Sequence, residues 1–189
     1  MSERCRWVNP QNELYLRYHD IEWGVPVHDD THLFEMLILE GAQAGLSWET
    51  ILKKRENYRK AYGGFDPEKV AAYTEEDARR LRADEGIVRN RLKIKASVQN
   101  ARVFLEIQKE SGSFDAYLWA FVQNTPIDEG YTDTLGIPTT TAASDAISKD
   151  LKRRGMNFVG STIICAYMQA VGLINAHTKN CFRYRELRK

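Results

Sequence analysis

Residues 29–41 read Asp29-Asp30-Thr31-His32-Leu33-Phe34-Glu35-Met36-Leu37-Ile38-Leu39-Glu40-Gly41, and they set the period that the rest of the chain repeats. A polar cluster able to cap a helix precedes Leu33, Phe34, Leu37 and Ile38. Those four are spaced three and four apart, so that they line one face of an α-helix with Gly41 as its stop. The spacing recurs almost everywhere, and no series of alternating segments with hairpin turns interrupts it. The expected fold class is all-α.

Working outward, Ser47 caps a second helix that runs to the Gly63-Gly64 break, and Asp66-Pro67 starts a short third one with proline at its first position. Thr74-Glu75-Glu76-Asp77 is a near capping box for a helix ended by Gly86. A longer helix is expected over about 89–111, stopped by Gly112, and another over 114–122. The stretch 123–141, with Pro126 and Pro138, is the longest loop. Ser144 opens a basic amphipathic helix ending at Gly155, and the mostly apolar helix over about 160–171 is the expected centre of the core. The segment before residue 29 reads as irregular.

Lys plus Arg number 27 and Asp plus Glu 26 among 189 residues, so the molecule has no net field with which to attract a polyanion. Nucleic-acid binding would have to rest on local patches: Lys53-Lys54-Arg55; Arg89, Arg91, Lys93 and Lys95; or Lys149, Lys152, Arg153 and Arg154. Each reads equally as a solvated helix face. The N-terminal residues lack the apolar core of a signal peptide. The most apolar stretch, 158–174, is interrupted by Ser161, Thr162 and Gln169 and is shorter than the roughly 20 residues a bilayer needs, so no membrane partner is expected. Three cysteines without an export signal point to a reducing cytoplasm and to thiol or metal chemistry rather than disulfides.

His177 and Cys181 are four apart, which brings an imidazole and a thiolate to one side of a turn. Cys5 and His19 can complete a Cys2His2 set suited to one tetrahedral zinc ion, closed to water and therefore structural; His28 and His32 are rival donors. Trp7, Tyr15, Tyr18 and Trp23 crowd the first two dozen residues, and Trp48 follows the Gly45-Leu46-Ser47 turn. These rings read either as a small core or as a stacking box for a flat ring. Glu40, at the end of an apolar helix, either points to solvent or serves a ligand, since a carboxylate is unfavourable beside the negative end of a helix dipole. Aromatic walls around it would suit a planar, cationic molecule rich in hydrogen-bond donors.

Taken together, Arg4-Cys5-Arg6-Trp7, Tyr18-His19-Asp20, Glu22-Trp23-Gly24-Val25-Pro26, Leu39-Glu40-Gly41, Gln43-Ala44-Gly45-Leu46-Ser47-Trp48, Met168-Gln169-Ala170, Gly172-Leu173 and His177 resemble the DNA-3-methyladenine glycosylase I family, from Cys5 through Cys181. The resemblance implies a helix-hairpin-helix glycosylase fold with structural zinc on Cys5, His19, His177 and Cys181. It implies a base pocket of Tyr15, Tyr18, Trp48 and Glu40, with Trp7 and Trp23 beside it and Glu40 as the catalytic carboxylate. The segment 81–93 would be the DNA-binding hairpin, its turn amides, Gly86 among them, meeting a phosphate and Arg89 and Arg91 supplying charge. Gly45 and Leu46 would fill the gap left by an extruded base. The usual catalytic aspartate and nucleophilic lysine of the wider helix-hairpin-helix superfamily have no counterpart here.

The implied activity is hydrolysis of the N-glycosidic bond of 3-methyladenine in alkylated double-stranded DNA, by a monomer that releases the base without cutting the strand. The chain is expected to be a single compact unit of two helical lobes around a cleft: a zinc-linked lobe of residues 1–30 and 145–189, and a helical lobe of about 31–144 carrying the hairpin. Two other classes use the same residues. One is a non-catalytic, zinc-stabilised DNA-binding module; the other is a zinc hydrolase, which four protein ligands disfavour because no coordination position stays open.

Overall fold

The computed structural model describes residues 3–188 and contains no strand among them, only an isolated bridge between Ile127 and Ile174. Ten α-helices follow in order: α1 Glu13–Arg17, α2 Asp30–Gln43, α3 Trp48–Ala61, α4 Pro67–Ala71, α5 Glu75–Ala83, α6 Arg91–Ser111, α7 Phe114–Ala120, α8 Ala142–Arg153, α9 Ser161–Ala170 and α10 Phe182–Glu186. The all-α expectation holds. None of the helices is long and apolar enough to cross a membrane.

Most boundaries are set by local side chains. Asp29 accepts from the His32 amide to start α2, Ser47 accepts from Thr50 to start α3, and Asp66 with Pro67 opens α4. A full capping box at Thr74 and Asp77 opens α5. Three expected ends move. α5 stops at Ala83 rather than at Gly86, where Asp84 turns extended. α6 begins at Arg91, because Asn90 accepts from Leu92 and Lys93. Thr141, not Ser144, caps α8, and Ser144 is the reciprocal partner three residues on. The segment before residue 29 is not irregular throughout: it holds α1 and a π-helical turn at Tyr18–Glu22. α10 and the single turn at Thr134–Gly136 were not expected either.

The core centres on α2 rather than on α9. Every residue from Leu33 to Ala42 is buried, so α2 is covered on all sides instead of along one stripe. α9 packs against it, and the Tyr167 hydroxyl donates to the Leu33 carbonyl at 3.1 Å. The buried apolar side chains form one continuous cluster from Cys5 to Cys181.

After α9 the chain reverses at Gly172, whose φ of +77° lies in the left-handed region. A Cβ there would sit 2.4 Å from the Pro26 nitrogen and 2.5 Å from the Val25 carbonyl carbon. The contact is tight because the Val27 amide donates to the Val171 carbonyl at 3.0 Å, which docks the segment after the π turn against the end of α9. Gly172→Ala meets both the conformational and the steric penalty, and is expected to lose about 2–3 kcal/mol of stability. An unchanged denaturation midpoint in urea would contradict this packing.

Candidate active site and metal centre

The π-helical turn Tyr18–Glu22 organises both centres. Its wider ring, closed by the Trp23 amide donating to the Tyr18 carbonyl at 2.9 Å, re-aims successive side chains relative to an α-helix. Tyr18 points into an aromatic recess, while His19 points into a buried Cys/His cluster. Glu22, at the end of the turn, anchors it to α2 and α3. Its carboxylate takes Arg55 at 2.7 Å and His32 at 3.3 Å, and Arg55 in turn donates to the buried Glu35 at 2.8 Å. Burial would raise the Glu22 carboxyl, but the hydrogen bonds from His32 and Arg55 win and hold it at about 2.

The recess has a volume of about 190 Å³ and is lined by Trp7, Tyr15, Tyr18, Trp23, Glu40, Gln43, Trp48, Ala166 and Gln169. All five aromatic residues singled out in the sequence therefore meet at one place. Trp7 stands edge-on to Tyr15 at 5.3 Å and to Trp23 at 4.8 Å, and Tyr18 lies tilted to Trp48 at 5.4 Å. Gln43, Gln169 and Ala166 had no assigned role; the first two stand in the same motifs as Trp48 and Met168, which was the available signal.

Glu40 is 4% exposed, on the last turn of α2, and does not point to solvent. Its Oε2 has no hydrogen-bond partner, and neither does the buried Nε1 of Trp48. Leaving a buried polar atom unpaired costs about 1–3 kcal/mol, and here an acceptor and a donor with unmet valence line one recess. Burial by itself pushes the Glu40 carboxyl up to about 8. A planar cation that offers a donor to Glu40 and an acceptor to the Trp48 Nε1–H would restore both the hydrogen bonds and the charge balance.

Behind the recess, Cys5, His19, His177 and Cys181 are all buried, with one ligand atom from each lying within 4.8 Å of the others. The Cys181 sulfur is 3.5 Å from His19 Nε2 and 3.5 Å from His177 Nδ1, and the Cys5 sulfur is 3.6 Å from His177 Nδ1. Zinc bonds of about 2.3 Å to sulfur and about 2.0–2.1 Å to nitrogen put S and N roughly 3.5–3.6 Å apart across a tetrahedral edge, so the donor set fits that ion.

The outer partners also fit. His19 Nδ1 faces Asp20 at 2.7 Å, Arg4 clamps Asp20 at 2.7 Å, and His177 Nε2 donates to the Trp23 carbonyl at 2.9 Å. Such contacts fix the tautomers that leave the other ring nitrogens as ligands. The contact between the two thiols lowers Cys181 and raises Cys5. The rival donors are engaged elsewhere: His28 stacks on Trp119 and faces Asp115, and His32 faces Glu22. Cys165 is buried apart, its thiol directed at the Pro138 carbonyl.

Residues expected at a DNA surface lie on two neighbouring turns. Gly45, with φ +79°, and Leu46 are exposed between α2 and α3. α5 and α6 form a helix pair joined by 84–90, with Arg89 and Arg91 exposed. The turn amides are largely spent inside the protein: Gly86 donates to Asp84 Oδ1 at 2.8 Å, Val88 to the Tyr58 hydroxyl at 3.1 Å and Asn90 to the Val88 carbonyl at 2.8 Å. The Gly86 amide is thus already engaged within the turn. Glycine is needed there because a Cβ would lie 2.9 Å from Asn57 on α3. Lys93 also leaves the basic patch: its ammonium donates to the carbonyls of Ala42 at 2.8 Å and Ala44 at 2.6 Å, closing the C-terminal end of α2.

Comparison with known proteins agrees with this arrangement. The methyladenine glycosylase profile matches residues 7–184. DNA-3-methyladenine glycosylase 1 of Escherichia coli is 53% identical over 182 residues, 96% of this chain and 97% of that protein. The DNA-3-methyladenine glycosylase of Haemophilus influenzae is 45% identical over 181 residues, with 96% and 97% covered. The Staphylococcus aureus 3-methyladenine DNA glycosylase I, solved to describe its recognition of 3-methyladenine, superposes with a TM-score of 0.92 at 40% identity, over 96% of each chain. With its helical architecture and its sequence matched over residues 7–184, this chain belongs to the methyladenine glycosylase family, enzymes that hydrolyse N-glycosyl bonds.

Proposed function

We propose that the protein removes 3-methyladenine from alkylated duplex DNA, with the aromatic recess as the base pocket and Glu40 as its catalytic carboxylate. The observation that carries this reading is the pairing of two unsatisfied buried groups, Glu40 Oε2 and Trp48 Nε1, with walls of aromatic rings. Methylation at N3 gives the base a formal positive charge. Stacking such a cation on Tyr15, Tyr18 and Trp48 contributes about 0.5–2 kcal/mol per ring when desolvated, a contribution uncharged adenine lacks. Trp7 and Trp23 brace those rings, and Glu40 accepts hydrogen bonds from the base.

The chemistry asks little of the enzyme. The cationic base leaves neutral, so no strong acid is required, and water attacks an oxocarbenium-like sugar. Extruding the nucleotide costs a few kcal/mol, less for a damaged base; Leu46, beside the flexible Gly45, is placed to fill the vacated stack, and Arg89 and Arg91 to hold phosphates. A single zinc ion on Cys5, His19, His177 and Cys181 would tie the N-terminal segment to the C-terminus and play no part in bond breaking, since all four positions are protein ligands. We read the protein as working as a monomer.

Among the described residues no lysine lines the recess, and the nearby Lys93 ammonium is held by two carbonyls. Base release is therefore expected without strand cleavage. The test is to incubate the protein with methylated duplex, identify the freed purines by chromatography and score nicks separately. Free 3-methyladenine with an intact abasic strand is the expected result; nicks appearing in step with the base would overturn it.

A further inference from the structure

We propose that the groove between α5 and α6, beyond the hairpin tip, is a second DNA-backbone site that holds the duplex sugar-phosphate chain. The proposal rests on the reading of the protein as a duplex-acting glycosylase. The groove has a volume of about 380 Å³. Its floor is apolar, with Ile94 and Val98, and its rim carries Arg79 and Arg82 from α5 and Arg91 and Lys95 from α6, together with one carboxylate, Glu75, and with Arg102, which donates to the Ala71 carbonyl.

These cations differ from most arginines of the protein. With 27 basic against 26 acidic residues, most arginines elsewhere are neutralised locally, as Arg4 is by Asp20, Arg55 and Arg59 by Glu35, and Arg154 by Asp150. Among the described residues, none of Arg79, Arg82, Arg91 and Lys95 has a carboxylate within ion-pair distance, and all four are exposed. Their spacing adds a cost that Glu75, four residues before Arg79 on α5, offsets only in part. Arg79 and Arg82 are three apart on one helix and Arg91 and Lys95 four apart on the next, and like charges at those separations repel. Arg91 is also the first residue of α6, a cation at the positive end of a helix dipole. A row of phosphates would relieve all three strains at once.

The chemistry of the rim selects a polyanion rather than a compact ligand. The four cations come from two helices along an open groove, and no buried polar side chain converges on one point as Glu40 and Trp48 do in the recess. Arg91 is shared with the hairpin, so a strand gripped there continues naturally into the groove. The contact is sequence-independent and serves retention on undamaged DNA while lesions are sought.

The test is the triple variant R79Q/R82Q/K95Q, which spares Arg91 and every recess residue. Binding of undamaged duplex is measured across a salt series, alongside quenching of tryptophan fluorescence by free 3-methyladenine and thermal melting. Removing three phosphate contacts should reduce the slope of log affinity against log salt by about 2–3, with free-base binding and melting unchanged. An unaltered slope would overturn the proposal. So would a groove that takes inorganic triphosphate as tightly as it takes duplex, since that marks a small-anion site. A wild-type protein that binds duplex but releases no methylated base would sink the proposed activity and leave the groove standing.

Discussion

Glu40→Gln is expected to slow base release by about 100-fold while making the fold more stable. Both effects come from the same burial. The carboxyl is pushed up to about 8 in the fold from an ordinary value of 4.5, so the native state holds its proton more tightly than the unfolded chain does. Such a group makes the folded state progressively less favourable as pH rises from about 4.5 to about 8, and by a constant amount above that. The neutral glutamine escapes this penalty. The melting temperature of the variant should match the parent near pH 4.5, rise above it through the window, and stay above it by the equivalent of a few kcal/mol.

Activity should run the opposite way, because a cationic base needs the ionised acid. The parent's kcat/KM on methylated duplex should climb on an acid limb centred near 8, and the variant should lose that limb. Single-turnover base release and calorimetry across pH check both halves. A variant that releases base at the parental rate would remove Glu40 from the mechanism, leaving the recess at most a binding site.

Cys181→Ser is expected to have the largest effect on stability, at least about 3 kcal/mol, because a structural tetrahedral site draws most of its binding free energy from folding. Cys5 and His177, 172 positions apart in sequence, share this cluster, so losing the ion frees both ends of the chain. The damage should reach the base pocket through the π turn, where Tyr18 is adjacent to His19, one of the four side chains that would hold the ion. Metal analysis should find one zinc per parental chain and none in the variant. Free 3-methyladenine should quench tryptophan fluorescence more weakly in the variant. A parental protein that carries no metal, with an unchanged melting temperature in Cys181→Ser, would leave the four side chains as a hydrogen-bonded cluster only.

Much of this was legible beforehand wherever the cause is local. Asp29, Ser47 and the Thr74–Asp77 box start helices by bonding amides three residues away, so their positions read directly from the chain. The same logic failed by a few residues where two local cues competed: Asp84 ended α5 before Gly86 could, and Thr141 rather than Ser144 served as the outer member of a reciprocal pair. The π turn was missed because its residues follow no helical stripe; Tyr18 and His19 are buried by partners more than 20 and 150 positions away, including Trp48 and His177.

The amino-acid order by itself determined the helical class, most of the helix starts, and the chemical inventory of thiolates, imidazoles, rings and a single odd carboxylate, because propensity, capping and ligand chemistry act between near neighbours. Only the folded chain decided that Glu40 lies in the dark rather than in water, that the amide of Gly86 is already engaged, and that Lys93 closes a helix instead of awaiting a phosphate. Desolvation and hydrogen-bond satisfaction depend on everything within a few ångströms, and at Glu40 those neighbours include Gln169 and Ala166, brought from the far end of the sequence by the packing of α9 on α2.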